Sequence, residues 1–76
     1  MSKEITWSLD TIYNRVVEVL KKALSAPLLY KVKMKKLYLE DNNIVIEGDY
    51  SYFGEEGEYK VILRNDNLYL VRYEIS

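Results

Sequence analysis

The apolar positions of the chain change period at Pro27. Before it, Leu9, Ile12, Tyr13, Val16, Val17, Leu20, Ala23 and Leu24 recur at helical spacing, with Asp10, Asn14, Arg15, Glu18, Lys21 and Lys22 on the opposite side and only Val19 off the stripe. Ser8 stands where a helix cap is needed. Asp10 favours the positive end of the helix dipole, and Lys21 and Lys22 favour the negative end. Trp7 and Ile12 have the spacing of a hydrophobic staple. Pro27 biases Ala26 away from helical backbone, so the pattern predicts a tail over 1–7 and a helix over 9–25.

After Pro27 the pattern reads as strands over Leu29 to Glu40, Ile44 to Phe53, Glu58 to Arg64 and Leu68 to Ile75. Asp41-Asn42-Asn43, Gly54-Glu55-Glu56-Gly57 and Asn65-Asp66-Asn67 separate them; Asn and Gly tolerate positive φ, and loops this short make consecutive strands antiparallel neighbours. The predicted fold is therefore α+β: one N-terminal amphipathic helix packed on a four-stranded antiparallel β-meander of order 1-2-3-4, with 1–76 forming a single domain.

Register follows from placing apolar residues opposite one another on one face. A three-residue loop at Asn65 to Asn67 pairs Leu63 with Tyr69, Val61 with Val71 and Tyr59 with Tyr73, and the Gly54 to Gly57 turn pairs Tyr52 with Tyr59 and Tyr50 with Val61. In strand one, Tyr30, Val32 and Met34 share one parity and Leu37 and Leu39 the other. A β-bulge at Lys35-Lys36 keeps both groups inward and sets Lys33 opposite Asp49 and Lys36 opposite Glu47, with Gly48 relieving crowding at the bend. Of the eight tyrosines, Tyr13, Tyr30, Tyr50, Tyr52, Tyr59, Tyr69 and Tyr73 fall on the inward parity, where the ring is buried and the hydroxyl stays at a wet rim.

Composition narrows the functional classes. A 76-residue chain has room for one core and little else, so self-association is a reasonable source of added stability. The absence of cysteine removes disulfides and thiolate metal sites and suits a reducing cytoplasm. No apolar run approaches the ~18 residues of a membrane span, and no secretory signal pattern is present. A soluble, cytoplasmic protein with no membrane partner is expected. Plentiful Lys, Glu, Tyr and β-branched residues, with no Gln, Cys or His, resemble the bias of thermophilic archaeal and viral proteins.

No enzyme is expected, because the chain lacks His and Cys, the commonest acid–base and thiol groups. Glu47 and Asp49 share a strand face and form the one carboxylate pair worth weighing; the turn residues lack calcium-loop spacing, and no cofactor, metal or small-molecule substrate is implied. The net charge of −1 creates no general attraction for nucleic acid. The local run Lys31, Lys33, Lys35 and Lys36, beside Tyr30 and Tyr38, supplies the alternative reading of a nucleic-acid-binding accessory protein. Against it, cross-strand Asp49 and Glu47 offset the lysines, and lysine is also a guard for an edge strand.

One helix covers one sheet face. The predicted registers leave Tyr38, Val45, Phe53, Ile62, Leu68 and Leu70 on the outer side, with Ile62 opposite Leu70 and Leu68 opposite Arg64. The leading expectation is a non-catalytic interaction module that binds a protein partner or itself through this outer face, with Tyr38, Val45, Ile62, Leu68 and Leu70 as contact candidates, or through the strand-four edge.

Overall fold

The computed structural model describes residues 4–25, 31–52 and 54–76. The expectations for Pro27, Tyr30, Phe53, the first residues of the tail and the start of strand one lie outside them. Among the described residues, helix α1 (Leu9–Leu24) precedes strands β1 (Lys31–Glu40), β2 (Asn43–Tyr52), β3 (Glu55–Arg64) and β4 (Leu70–Ile75). The strands form one antiparallel sheet of order β1-β2-β3-β4, the predicted α+β arrangement. No helix among the described residues is long and apolar enough to cross a membrane.

The helix ends follow their local chemistry. Ser8 Oγ accepts the Thr11 N–H at 3.2 Å, satisfying a donor the helix start would leave unpaired, and its carbonyl accepts the first intrahelical bond from Ile12. At the other end Ser25 is left-handed, with φ 52, and donates its N–H to the last turn. The stripe is rolled relative to its sequence reading. Ile12, Val16, Val19 and Leu20 are buried whereas Leu9 is 61% exposed, because the Val19 side of α1 turns toward β4.

The β1–β2 register matches the sequence reading. Lys33 faces Asp49, Lys36 faces Glu47, and the register shifts between Met34 and Lys36, leaving Lys35 as the extra residue of a bulge. Gly48 stands opposite Met34, and a Cβ there would lie 1.7 Å from the Lys33 carbonyl oxygen and 2.8 Å from the Tyr59 hydroxyl. The missing side chain lets Tyr59 reach across the sheet and donate to that carbonyl at 2.7 Å. Burial pushes the Tyr59 hydroxyl up from its ordinary value, which keeps it a donor.

The β2–β3 register differs from the expected one by four residues. Tyr52 faces Glu55, so the turn is shorter than predicted and Gly57 belongs to β3, opposite Tyr50. A Cβ on Gly57 would come within 2.5 Å of the Tyr50 hydroxyl, so this glycine makes room for a ring inside the sheet rather than forming the turn. A slip of four preserves side-chain parity, and Ile44, Ile46, Tyr59, Val61 and Leu63 remain inward and buried.

The β3–β4 connection is longer than predicted. Arg64 N–H bonds to Tyr69 O, so Asn65 to Leu68 form the loop, and Leu68 adopts φ 61 with its side chain buried. That left-handed leucine is held from several directions: its N–H bonds to Arg64 O at 2.8 Å, and Arg15 Nε of α1 donates to its carbonyl at 2.9 Å. Trp7 Nε1 and Asn65 Nδ2 bond to Asn65 O and Glu4 O respectively, and Asn65 N–H bonds to Asn42 O, so the loop also ties the N-terminal segment to the β1–β2 turn.

β4 then contains its own bulge. Leu63 faces Leu70 but Ile62 faces Arg72, which leaves Val71 as the extra residue. The added loop residue moves Leu70 to the inner side of the sheet, and the bulge restores parity, so Val61 faces Tyr73 and Tyr59 faces Ile75 in place of the predicted partners.

Candidate interaction surface at strand four

The inner core consists of Ile12, Val16, Val19 and Leu20 of α1 against Val32, Ile44, Ile46, Tyr50, Tyr59, Val61 and Leu63 of β1 to β3, closed by Leu68. Burying an aliphatic side chain of this size contributes about 1.5–3 kcal/mol, which places most of the stabilisation in α1 and the first three strands. β4 receives little of it. Every residue from Leu70 to Glu74 is exposed, and Ile75 is partly buried. Tyr69, Leu70, Val71 and Tyr73 are 66%, 38%, 47% and 45% exposed and form the largest run of uncovered apolar side chains in the described chain.

The free edge of β4 is set by ladder parity. Glu58 and Ser76 exchange both backbone bonds, at 3.1 and 2.9 Å. Alternate residues of an antiparallel strand point their N–H and C=O toward the same neighbour, so Glu74 and Arg72 address β3, whereas Tyr73 and Ile75 direct both groups away from the sheet. On the helix side a groove separates α1 from β4. One part is lined by Trp7, Thr11, Arg15, Leu68 and Tyr69, and the next by Arg15, Val19, Lys22, Ala23, Leu70 and Tyr73. An open strand edge beside a groove is the arrangement that accepts an added strand: backbone groups supply the ladder and the groove takes alternate side chains.

The predicted contact residues do not form one patch. Leu70 is exposed but lies on the helix side of the sheet, where the one-residue lengthening of the loop places it. Leu68 is 6% exposed and closes the core, which corrects it from surface to interior, and Val45 lies on the outer face as expected but is only 2% exposed. Val45 is covered on the outer face within a cross-strand row running from Tyr38 through Val45 and Ile62 to Arg72. Ile62 is partly buried, and Tyr38 is 37% exposed with its hydroxyl 3.3 Å from a Glu47 carboxylate oxygen. Partial desolvation, then the charge of Glu47, raises the Tyr38 hydroxyl above its ordinary value. Tyr69, Val71 and Tyr73 were missed because the predicted register turned all three inward, and inward parity does not bring burial here: Tyr73 faces Val61 on the helix side yet is 45% exposed. The absence of any lysine between Leu68 and Ile75 was the available signal.

The lysines of β1 are all exposed, but they face carboxylates. Lys35 Nζ lies 2.9 Å from Asp49 Oδ2, and that hydrogen bond, followed by the attraction of the same carboxylate, raises the lysine above its ordinary value. Lys31, Lys33 and Lys35 share a depression of about 440 Å³ with Asp49, Glu56 and Glu58, and Lys36 begins a row of alternating charge, Lys36–Glu47–Lys60–Glu74, across all four strands. Glu47 and Asp49 are not brought into one depression: Asp49 pairs with Lys35, and Glu47 accepts from Tyr38. Among the described residues no three carboxylates converge as a metal-ligand set.

Comparison with family models, with curated protein sequences and with solved structures finds no significant match.

Proposed function

We propose that this chain is a non-catalytic interaction module whose binding element is β4, and that it takes up an extended segment of a protein chain along the free edge of that strand. The reading is carried by one observation: the strand with the most exposed apolar side chains also aims the backbone groups of Tyr73 and Ile75 into solvent beside a groove. An edge of that kind is ready to pair.

Proline supplies a clean test. Tyr73→Pro removes an outward N–H and no internal ladder bond, so the fold tolerates it while strand addition does not. Selection of a random peptide library on the immobilised protein is expected to enrich extended, alternately apolar sequences whose binding is lost in the Tyr73→Pro variant. If neither peptide binding nor self-association responds to that substitution, the reading is wrong. The nucleic-acid reading finds less support, since Lys31, Lys33 and Lys35 share a depression with Asp49, Glu56 and Glu58, and Lys36 faces Glu47.

A further inference from the structure

Resting on that reading of β4, we infer that the segment it takes up is β4 of a second copy of this chain, paired antiparallel about a two-fold axis through Tyr73. Register and charge carry the argument. With Tyr73 facing Tyr73 of the second copy, the outward N–H and C=O of the two residues meet and exchange both hydrogen bonds. Arg72 then faces Glu74 of the second copy and Glu74 faces its Arg72, giving two opposite-charge pairs on the outer face. Within one chain Arg72 Nη2 and Glu74 Oε2 lie 3.4 Å apart, with both side chains well exposed.

Neighbouring registers lack this match. Centring the axis on Arg72 or on Glu74 sets like charges against each other, centring it on Val71 sets Arg72 against Leu70, and centring it on Ile75 sets Glu74 against Ser76. The Tyr73-centred arrangement also sets Val71 against Ile75. Because the axis stands perpendicular to the sheet, both helices lie on the same face. The exposed rings and side chains of Tyr73 and Leu70 from both copies then fill the trough between the helices, beside Val19 and Ala23. The alternating row Lys36–Glu47–Lys60–Glu74 continues across the seam into Arg72 of the second copy.

Sedimentation velocity across a concentration series tests the pairing, and charge exchange tests the register. Wild type is expected to dimerise. Arg72→Glu alone and Glu74→Arg alone should each weaken dimerisation roughly tenfold or more, whereas an equimolar mixture of the two should associate as a heterodimer, since each then faces its complement. The chain has no cysteine, so a single introduced one is an unambiguous reporter. Tyr73→Cys should form an interchain disulfide under mild oxidation, because facing Cα atoms of a hydrogen-bonded pair lie about 5.5 Å apart. Val71→Cys should not, its counterpart in the second copy being four residues away along the strand. A wild type that stays monomeric throughout overturns the inference, as does a dimer indifferent to both charge variants, or one that cross-links at Val71 and not at Tyr73. Monomeric protein that still binds selected peptides in a Tyr73-dependent manner removes the second copy and leaves the β4 reading standing. Association and peptide binding that both ignore Tyr73→Pro remove both.

Discussion

The two edges of the sheet are built in opposite ways. β1 carries Lys31, Lys33, Lys35 and Lys36, all exposed, and a bulge at Lys35 that bends it away from a straight pairing geometry. β4 bulges too, at Val71, but it has no lysine and exposes Leu70, Val71 and Tyr73. Both strands pair on one side only, yet one is guarded and the other open. Strand order alone would treat them alike; the difference lies in how deeply each strand is buried and in which side chains the chain leaves at each margin.

The sharpest break on the β1 side is Gly48→Ala. The new methyl would overlap the Lys33 carbonyl and displace the Tyr59 hydroxyl, so a loss of roughly 3–5 kcal/mol is expected by chemical denaturation, as for severe overpacking coupled to a broken buried hydrogen bond. On the β4 side, Leu68→Ala removes the buried side chain that compensates a left-handed backbone and should cost roughly 2–3 kcal/mol. Tyr59→Phe leaves the packing intact but removes the hydrogen bond to the Lys33 carbonyl, for a loss of about 1 kcal/mol.

The same substitution has a pH signature. Because the folded protein holds the Tyr59 hydroxyl above its unfolded value, the stabilisation is complete below about pH 10 and declines as pH rises through the alkaline range. Denaturation midpoints measured between neutral and strongly alkaline pH should therefore fall more steeply in wild type than in Tyr59→Phe. Smallest in stability is Val71→Lys, which transfers the β1 guard to β4. Its melting midpoint should correspond to a change within about 0.5 kcal/mol, while light scattering reports loss of association.

The features that were legible in the sequence are those where a local signal and a face preference agree. The break in alternation after Met34 gives the bulge, and Gly48 stands opposite because no other residue fits there. Ser8 marks the helix start by hydrogen bonding that depends on neighbours alone. Gly57 was read as a turn residue because the sequence cannot distinguish a glycine that bends the chain from one that admits the Tyr50 ring. Leu68 escaped because a leucine with positive φ has no local signature; Arg15 and the core impose it from a distance. That one misplaced loop residue turned Leu70 to the wrong face and, with the unforeseen bulge at Val71, gave Tyr69 and Tyr73 the wrong partners. The strand-four edge was legible as a sheet margin from strand order, but which side chains it exposes depended on a tertiary tie that periodicity does not report.

The kink at Lys35 has a consequence for assembly size. A pair of molecules joined along their open margins would end, left and right, in two cationic, bent strands that repel further additions. In such a pair growth would stop at two, and the ribbon would carry its own terminators against polymerising into a fibre.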